Sequence, residues 1–357
     1  MRFELEKESM FTKVLTNSEN SIILFGASSF GSYMKNVFES FNMNIRYFCD
    51  NDIGKHGKEI GGIKIISPSE LVALGKENLI VITSTYYKEI YEQLKELGFG
   101  NIFCFSPWFL YEHKNGALRE TISNNMSKIK ELYNLLEDNK SREVLENIIN
   151  YRITFNIDYL MNAVNSNKMY FDEDILKLNG NESFLDAGAF DGDTVLEFIN
   201  FVRGEFNNIY AFEPDKVNFD RLTNNTQLLS YKNKIKFEKS GLYKDSLGIT
   251  FENHHNMGSH IVKDDSNNSI STISIDDYSK KNEISFIKMD IEGAEIDAIL
   301  GGSETLKKHK PKLAICIYHR MDDLWEIPLL IKKIQPEYKI FIRQHAYNLY
   351  DSVCYAI

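Results

Sequence analysis

Cysteine is scarce and unpaired in this chain: Cys49, Cys104, Cys316 and Cys354 lie far apart with no C-x-x-C spacing. That excludes a disulfide framework, and stretches such as Leu313-Ala-Ile-Cys-Ile317 read as holding buried thiols in a reducing cytoplasm. No Lys/Arg-rich run occurs, and the net charge is −10. Neither a nucleic-acid backbone nor an anionic membrane surface is therefore expected as the main partner. There is no run of about eighteen apolar residues to span a bilayer. The first twenty residues carry Glu4, Glu6, Lys7, Glu8 and Lys13 in place of an apolar targeting segment. A cytoplasmic location is expected, without secretion or membrane spanning.

What is present is enough apolar material for two cores: 357 residues, 43% of them hydrophobic. Residues 21 to 105 alternate short apolar runs (Ile22 to Phe25, Ile45 to Phe48, Leu79 to Ile82, Ile102 to Phe105) with helical segments, a βαβ pattern. In one of these helices Ile90, Leu94 and Leu97 recur at helical spacing, and Gly98 follows as a stop. From about Leu118 to Asn165 the period is helical throughout, with no Gly or Pro. A second α/β pattern runs through Phe184 to Gly188, Ile209 to Phe212, Ile235 to Phe237, Ile284 to Ile287 and Leu313 to Tyr318. Two last strands, Tyr338 to Ile342 and Ser352 to Ile357, have no helix between them and predict a closing antiparallel hairpin. The expected fold class is α/β with two Rossmann-like domains. The first spans 1–113, a helical connector 114–168, and a seven-stranded domain with the strand order of class I methyltransferases 169–357.

The loop Asp186-Ala-Gly188-Ala189-Phe-Asp191-Gly192-Asp193-Thr194 lies between a strand and a helix, so its glycines fall where the chain turns sharply and where backbone can approach a ligand. The next strand ends in Glu213-Pro214, placing a carboxylate where it could accept two hydrogen bonds from a ribose diol. A dinucleotide loop would keep G-x-G-x-x-G and aim a helix N-terminus at a pyrophosphate. Here the third glycine is absent, and three aspartates would repel phosphate. They suit a ligand carrying an ammonium and a sulfonium, which S-adenosylmethionine (SAM) is.

The densest cluster of charge is Lys288-Met-Asp290-Ile-Glu292-Gly-Ala-Glu295, which follows the apolar run Ile284-Ser-Phe-Ile287. Carboxyl ends of buried parallel strands open onto the ligand crevice, and Asp290 is expected at that mouth. Lys288 would pair with Glu292 or Glu295 to shape the turn. Were the methyl group of a ligand such as SAM to pass to a hydroxyl, the transfer would require alignment and removal of a proton, by a general base or a metal that acidifies the hydroxyl. His319, at the end of the neighbouring strand, is the first expected base and Asp290 the second. A divalent metal is not predicted, and Asp290 and Glu292 are the residues that would offer it oxygen. His254-His-Asn-Met-Gly-Ser-His260 matches no standard zinc spacing and reads as a loop over the site, with His260 contacting substrate.

These blocks, with Tyr170-Phe171-Asp172, Ile273-Ser-Ile-Asp276, Leu300-Gly301-Gly302 and Pro311, resemble the FkbM family of methyltransferases from about Met169 to Tyr318. The resemblance implies SAM as cofactor and O-methylation of a hydroxyl, commonly on a sugar. It brings Tyr170, Ser240 and Gly241 into the expected cofactor set with Asp186, Gly188, Ala189, Asp191, Gly192, Asp193, Thr194, Glu213, Pro214 and Asp290. Family members often carry an acid late in the strand after the proline, where this chain has Cys316-Ile-Tyr-His319.

The first domain has its own loop, Gly26-Ala-Ser-Ser-Phe-Gly31, with Asp50 closing its second strand. Gly26, Gly31 and Asp50, with Glu292, are the expected contacts to substrate or a second nucleotide, such as a nucleotide-linked sugar. Such a domain also serves to pair copies of a chain into a homo-oligomer. Two alternatives stand beside the methyltransferase: a nicotinamide-dependent oxidoreductase on Gly26 to Asp50, though its loop lacks the middle glycine and no Tyr-x-x-x-Lys follows, and a non-catalytic ligand-binding module.

Overall fold

The computed structural model describes residues 2–5, 22–40, 42–104, 118–226, 231–245, 249–250, 269–347 and 350–357. Contacts divide the chain into two compact units: residues 1–126, 143–164 and 347–349 form the first, and residues 127–142, 165–346 and 350–357 the second. The expected connector is thus not a separate body. Ile157 joins the core of the first unit and the Tyr151 hydroxyl donates to the Cys104 carbonyl at 3.3 Å. Residues of the second unit's share bond within that unit, with the Glu137 N–H on the Ile340 carbonyl (3.0 Å) and Asp138 2.6 Å from the buried Arg343 guanidinium. Helical periodicity reported the helices but could not say which core each apolar face joins.

In the first unit, β1 (Ile22–Phe25), β2 (Ile45–Cys49), β3 (Glu59–Ile60), β4 (Ile63–Ile66), β5 (Leu79–Ile82) and β6 (Ile102–Cys104) make one sheet in the order β3-β4-β2-β1-β5-β6. All pairs are parallel except β3 with β4. That hairpin was absent from the expected pattern. Its signal is Gly61-Gly62, both at positive φ, the requirement of a two-residue turn. The helix Tyr87–Glu96 buries Tyr87, Ile90, Tyr91 and Leu94 and ends at Gly98, φ +83°, as its spacing predicts.

In the second unit, β7 (Ser183–Ala187), β8 (Asn208–Phe212) and β9 (Ile235–Glu238) are parallel. Short pairings follow, β10 (Gly241–Leu242) with β13 (Thr272–Ile273) and β11 (Ile249–Thr250) with β12 (Ser269–Ile270). Then come β14 (Phe286–Met289), β15 (Lys312–Cys316), β16 (Ile340–Gln344) and β17 (Ser352–Ala356). The main sheet has the order β16-β17-β15-β14-β7-β8-β9, with β17 antiparallel to both neighbours. This is the seven-stranded sheet with closing hairpin expected from the sequence. Its core is aromatic: Phe184 stacks on Phe198 (4.5 Å between centroids) and Phe286 (5.0 Å), with Phe171 against them. All four cysteines are buried and free. Among the described residues no helix is long and apolar enough to cross a membrane.

One glycine fixes how the ends of β7 and β14 meet. Gly188 has φ +76°, and a Cβ there would stand 1.9 Å from the Asp290 carbonyl oxygen. Gly188→Ala is therefore expected to cost at least ~2 kcal/mol, from left-handed strain plus the clash. A Cβ on Gly241 meets only ordinary contacts at 3.8 Å, so Gly241→Ala should cost less than ~1 kcal/mol. Urea denaturation of both variants checks the difference; equal midpoints would remove the constraint.

Candidate active site

The site lies at the carboxyl edge of β7, β8, β14 and β15, because in a parallel sheet that edge gathers the loops leading into helices. The β7 loop is held by its neighbours' main chain: the Gly188 and Ala189 N–H groups donate to the Phe212 carbonyl at 3.0 and 2.9 Å. Gly192, φ +92°, then starts the helix Asp193–Phe201, and Ala189 and Thr194 are buried beneath the turn. Glu213 closes β8 with only 6% exposure. One of its oxygens accepts the Phe190 N–H and the other the Asp215 N–H, both at 2.9 Å. Burial pushes its pKa up to about 7 against those two donors. Asp191 is half-buried and Asp193 exposed, while Pro214, Ser240 and Gly241 lie half-buried at the ends of β8 and β9.

Asp186 departs from expectation. It is fully buried, and its carboxylate faces the equally buried Lys288 ammonium at 3.0 Å, so it is a structural ion rather than a ligand for SAM. The β7–β14 register sets Asp186 directly beside Lys288. Lys288 therefore pairs across the sheet, not with Glu292 or Glu295 in its own turn. Its Nζ also donates to the Gly188 carbonyl (2.7 Å) and lies 5.2 Å from the centre of the Tyr170 ring. Burial pushes the Asp186 carboxyl up to about 6, the ammonium opposing it.

Asp290 and His319 come together as expected, but in other protonation roles. The Asp290 carboxylate receives the Tyr170 hydroxyl (2.8 Å) and the Tyr318 hydroxyl (3.2 Å), and lies 3.1 Å from His319 Nε2. On the far side of the ring, Nδ1 is 3.0 Å from the buried Glu295 carboxylate. Burial would lower the His319 pKa, yet the two carboxylates outweigh it and push it up to about 10. His319 is thus an imidazolium at neutral pH, with no lone pair to take a proton. Burial would raise the Asp290 carboxyl, but His319, Lys288 and Tyr170 hold it well below the usual carboxylate range. Neither expected base is basic near pH 7.

The same three side chains correct the expected metal oxygens. Among the described residues, Asp290, Glu295 and His319 bring ligand atoms within 4.8 Å of one another, while Glu292 is exposed, its carboxylate 3.7 Å from His319 Nε2. Because both ring nitrogens already face carboxylates, we read an ion triad in which the shared cation is the imidazolium. Its chemistry is to hold Asp290 rigid and anionic beside the crevice. Glu295, Tyr318, Tyr350 and Asp351 also edge this part of the site; Tyr350 meets the Tyr318 ring edge-on at 5.8 Å. Sequence reading had only Glu295 among them, as a turn residue. His260 lies outside the described residues.

In the first unit, Gly26, Gly31 and Asp50 do meet, but one another. A Cβ on Gly31 would stand 2.0 Å from the Gly26 carbonyl, and one on Gly26 2.6 Å from that of Thr83. The Asp50 carboxylate accepts the Ala27 N–H (2.8 Å), the Asp52 N–H (2.9 Å) and Lys55 Nζ (2.9 Å). The expected diol acceptor thus closes its own loop through these donors, as Glu213 does through two backbone N–H groups, and additionally faces a lysine.

Residues 186–348 match the methyltransferase FkbM domain. That stretch lies almost entirely within the second unit. Residues 18–101 match the C2185-like N-terminal domain. A crystal structure of methyltransferase FkbM from Methylobacillus flagellatus KT is similar over 98% of this chain and 94% of that one, at 23% identity and a TM-score of 0.78, so the two share a fold. UDP-D-quinovosamine 4-dehydrogenase from Vibrio fischeri is similar over 27% of this chain and 84% of that one (24% identity, TM-score 0.22). An rRNA methylase from Streptococcus thermophilus is similar over 50% and 87% (14% identity, TM-score 0.33). No curated protein matches the chain.

Two outcomes follow for the second unit. Removing one partner of the Lys288–Asp186 pair strands a buried charge, at about 3–5 kcal/mol. Lys288→Met and Asp186→Asn should each cost that much, and the double variant less than their sum; additive costs in urea denaturation would refute the pairing. A folded pKa above the unfolded one stabilises fully below pH ~6.5, and the effect is lost as pH rises through about 10. The stability difference between wild type and His319→Gln should therefore be greatest, a few kcal/mol, near pH 6 and shrink toward pH 10. A difference that grows with pH would show His319 to be neutral in the native state.

Proposed function

We propose that the FkbM domain transfers the methyl group of SAM to a hydroxyl of a sugar, a nucleotide-activated sugar or a glycan precursor. The observation that carries this reading is Glu213. Its carboxylate is buried, oriented by two backbone N–H groups, and set beside a glycine loop whose Asp191 and Asp193 disfavour phosphate. These residues fit a donor that presents a ribose diol and positive charge, and they fit a dinucleotide pyrophosphate poorly. Bound SAM would supply an electrophilic methyl on sulfur. The chain's part is to hold Glu213 and the loop in place and to orient the acceptor. A crevice edged by Asp290, Glu292, Tyr318 and Tyr350 supports a polyhydroxylated acceptor, because carboxylates and tyrosine hydroxyls bind sugar hydroxyls and aromatic rings cover sugar faces.

Calorimetry should show SAM binding to the wild type and about a 100-fold loss for Glu213→Ala, the loss expected when two hydrogen bonds to a charged group disappear. Circular dichroism confirms that the variant is folded. Incubation with labelled SAM and a panel of nucleotide-activated sugars and simple glycosides then reads the acceptor. Heat from NADH with none from SAM would replace this reading with an oxidoreductase.

A further inference from the structure

Methylation of an alcohol must end with the hydroxyl proton on some group, and the two residues first expected to take it are a pinned anion and a cation. The antiparallel closure of the sheet brings in a third. β15 and β17 pair Cys316 with Val353, and the Ile317 N–H donates to the Ser352 carbonyl at 3.0 Å. One step further in this register sets Asp351 opposite Tyr318, at the edge where β14 and β15 end. Residues opposite one another in an antiparallel pair have Cβ atoms about 5 Å apart. Val353 and Tyr355 pack in the core cluster with Ala314, Cys316 and Tyr318, and Asp351, immediately before β17, lies close enough to Asp290, Tyr318 and His319 to interact with them electrostatically.

We propose that Asp351 is the catalytic base of the methyl transfer described above, on which the proposal rests. Its carboxylate takes the proton of the acceptor hydroxyl as the oxygen lone pair forms the new C–O bond. The C–S bond breaks with its electron pair going to sulfur, leaving a neutral thioether, and the protonated Asp351 returns its proton to solvent.

Three observations support the assignment. Asp351 sits at φ +63°, a region that non-glycine residues seldom occupy and that collects at functional positions. Among the described residues none donates a hydrogen bond to its carboxylate, in contrast to Asp290, which receives the Tyr170 and Tyr318 hydroxyls. Its surroundings also tune it. Among the described residues, Asp290 after β14, Tyr318 and His319 after β15, His345 at the end of β16 and the adjacent Tyr350 are the titratable groups around it. His345 binds it only through the main chain, N–H to carbonyl at 3.0 Å, and burial pushes the His345 pKa down to about 4, so this ring is neutral. Burial pushes the Asp351 carboxyl up to about 6, with Asp290 adding and the His319 cation opposing. A carboxylate of that basicity is matched to work near neutral pH, where a general base supplies roughly 10²–10⁴-fold in rate.

The test uses the full chain with Asp351→Asn and Asp351→Glu. Calorimetry should give SAM affinities within about twofold of wild type for both, since the residue acts on the acceptor. With an acceptor from the sugar panel, Asp351→Asn should lower kcat by roughly 10²–10⁴-fold, Asp351→Glu should retain part of the activity, and the ascending limb of kcat near pH 6 should vanish in Asp351→Asn. Full turnover by Asp351→Asn, or an unchanged limb, would overturn the proposal. A measurement free of any acceptor stands beside these. In protein labelled with carboxyl-¹³C aspartate, the resonance missing from Asp351→Asn should titrate near pH 6, and titration at the ordinary value of about 3.9 overturns it. A wild type that binds no SAM sinks the methyltransferase reading instead, whatever Asp351 titrates at.

Discussion

A lysine and an aspartate with no access to water, side by side on adjacent strands, set the terms for the second unit. The parallel pairing of β7 with β14 places Lys288 next to Asp186. Slipping that register by one residue would put the two charges on opposite faces of the sheet and leave each buried without its partner, at a cost of several kcal/mol. The correct register also brings the Asp290 carbonyl against Gly188, so that only glycine is accommodated there. The ammonium ties down the Gly188 carbonyl as well. One ion pair therefore fixes the ends of two strands and the turn on which Glu213 and the acidic loop are arranged.

From that pair a row of alternating charge runs toward the crevice: Asp186, Lys288, Asp290, His319, Glu295. Carboxylates and cations alternate along it, with Lys288 3.0 Å from Asp186 and the His319 ring between Asp290 and Glu295. Tyr170 and Tyr318 add hydroxyls to Asp290 from either side. Asp290 is rigid and weakly basic for the same reason that His319 is cationic. Such an arrangement is good at positioning and poor at accepting protons, and the two demands of alcohol methylation fall on different residues.

Local features of the sequence carried the architecture. The apolar runs, the glycine after β7, the acid closing β8 and the helix-free approach to the last strand each involve a few consecutive residues, and each is present where its pattern puts it. What eluded the reading depends on partners far along the chain. Lys288 meets Asp186 rather than the nearby Glu292 or Glu295. His319 looked like a base because Glu295 was not visibly its second carboxylate neighbour beside Asp290. Asp351 carries no motif, and only the reversed direction of β17 brings it to the ligand edge. Gly61-Gly62 was legible but passed over, while Asp50 was visible as a strand-end acid whose carboxylate turned out to serve its own loop. The assignment of the connecting helices to one core or the other required tertiary contacts, since an amphipathic stripe does not say what it faces.

Tyr170 donates its main-chain N–H to the hydroxyl of Tyr355, 185 positions away, and its own hydroxyl to Asp290. A site stitched together over such separations has high contact order, and loop-closure entropy must be met before any of its contacts can form. Its geometry requires both ends of the domain, and a chain holding only β7 and β8 would lack it. Occupancy of the crevice is then linked to the global equilibrium: a ligand that selects the finished site stabilises the whole unit, so resistance to unfolding becomes a direct reading of whether the far ends of the domain have met.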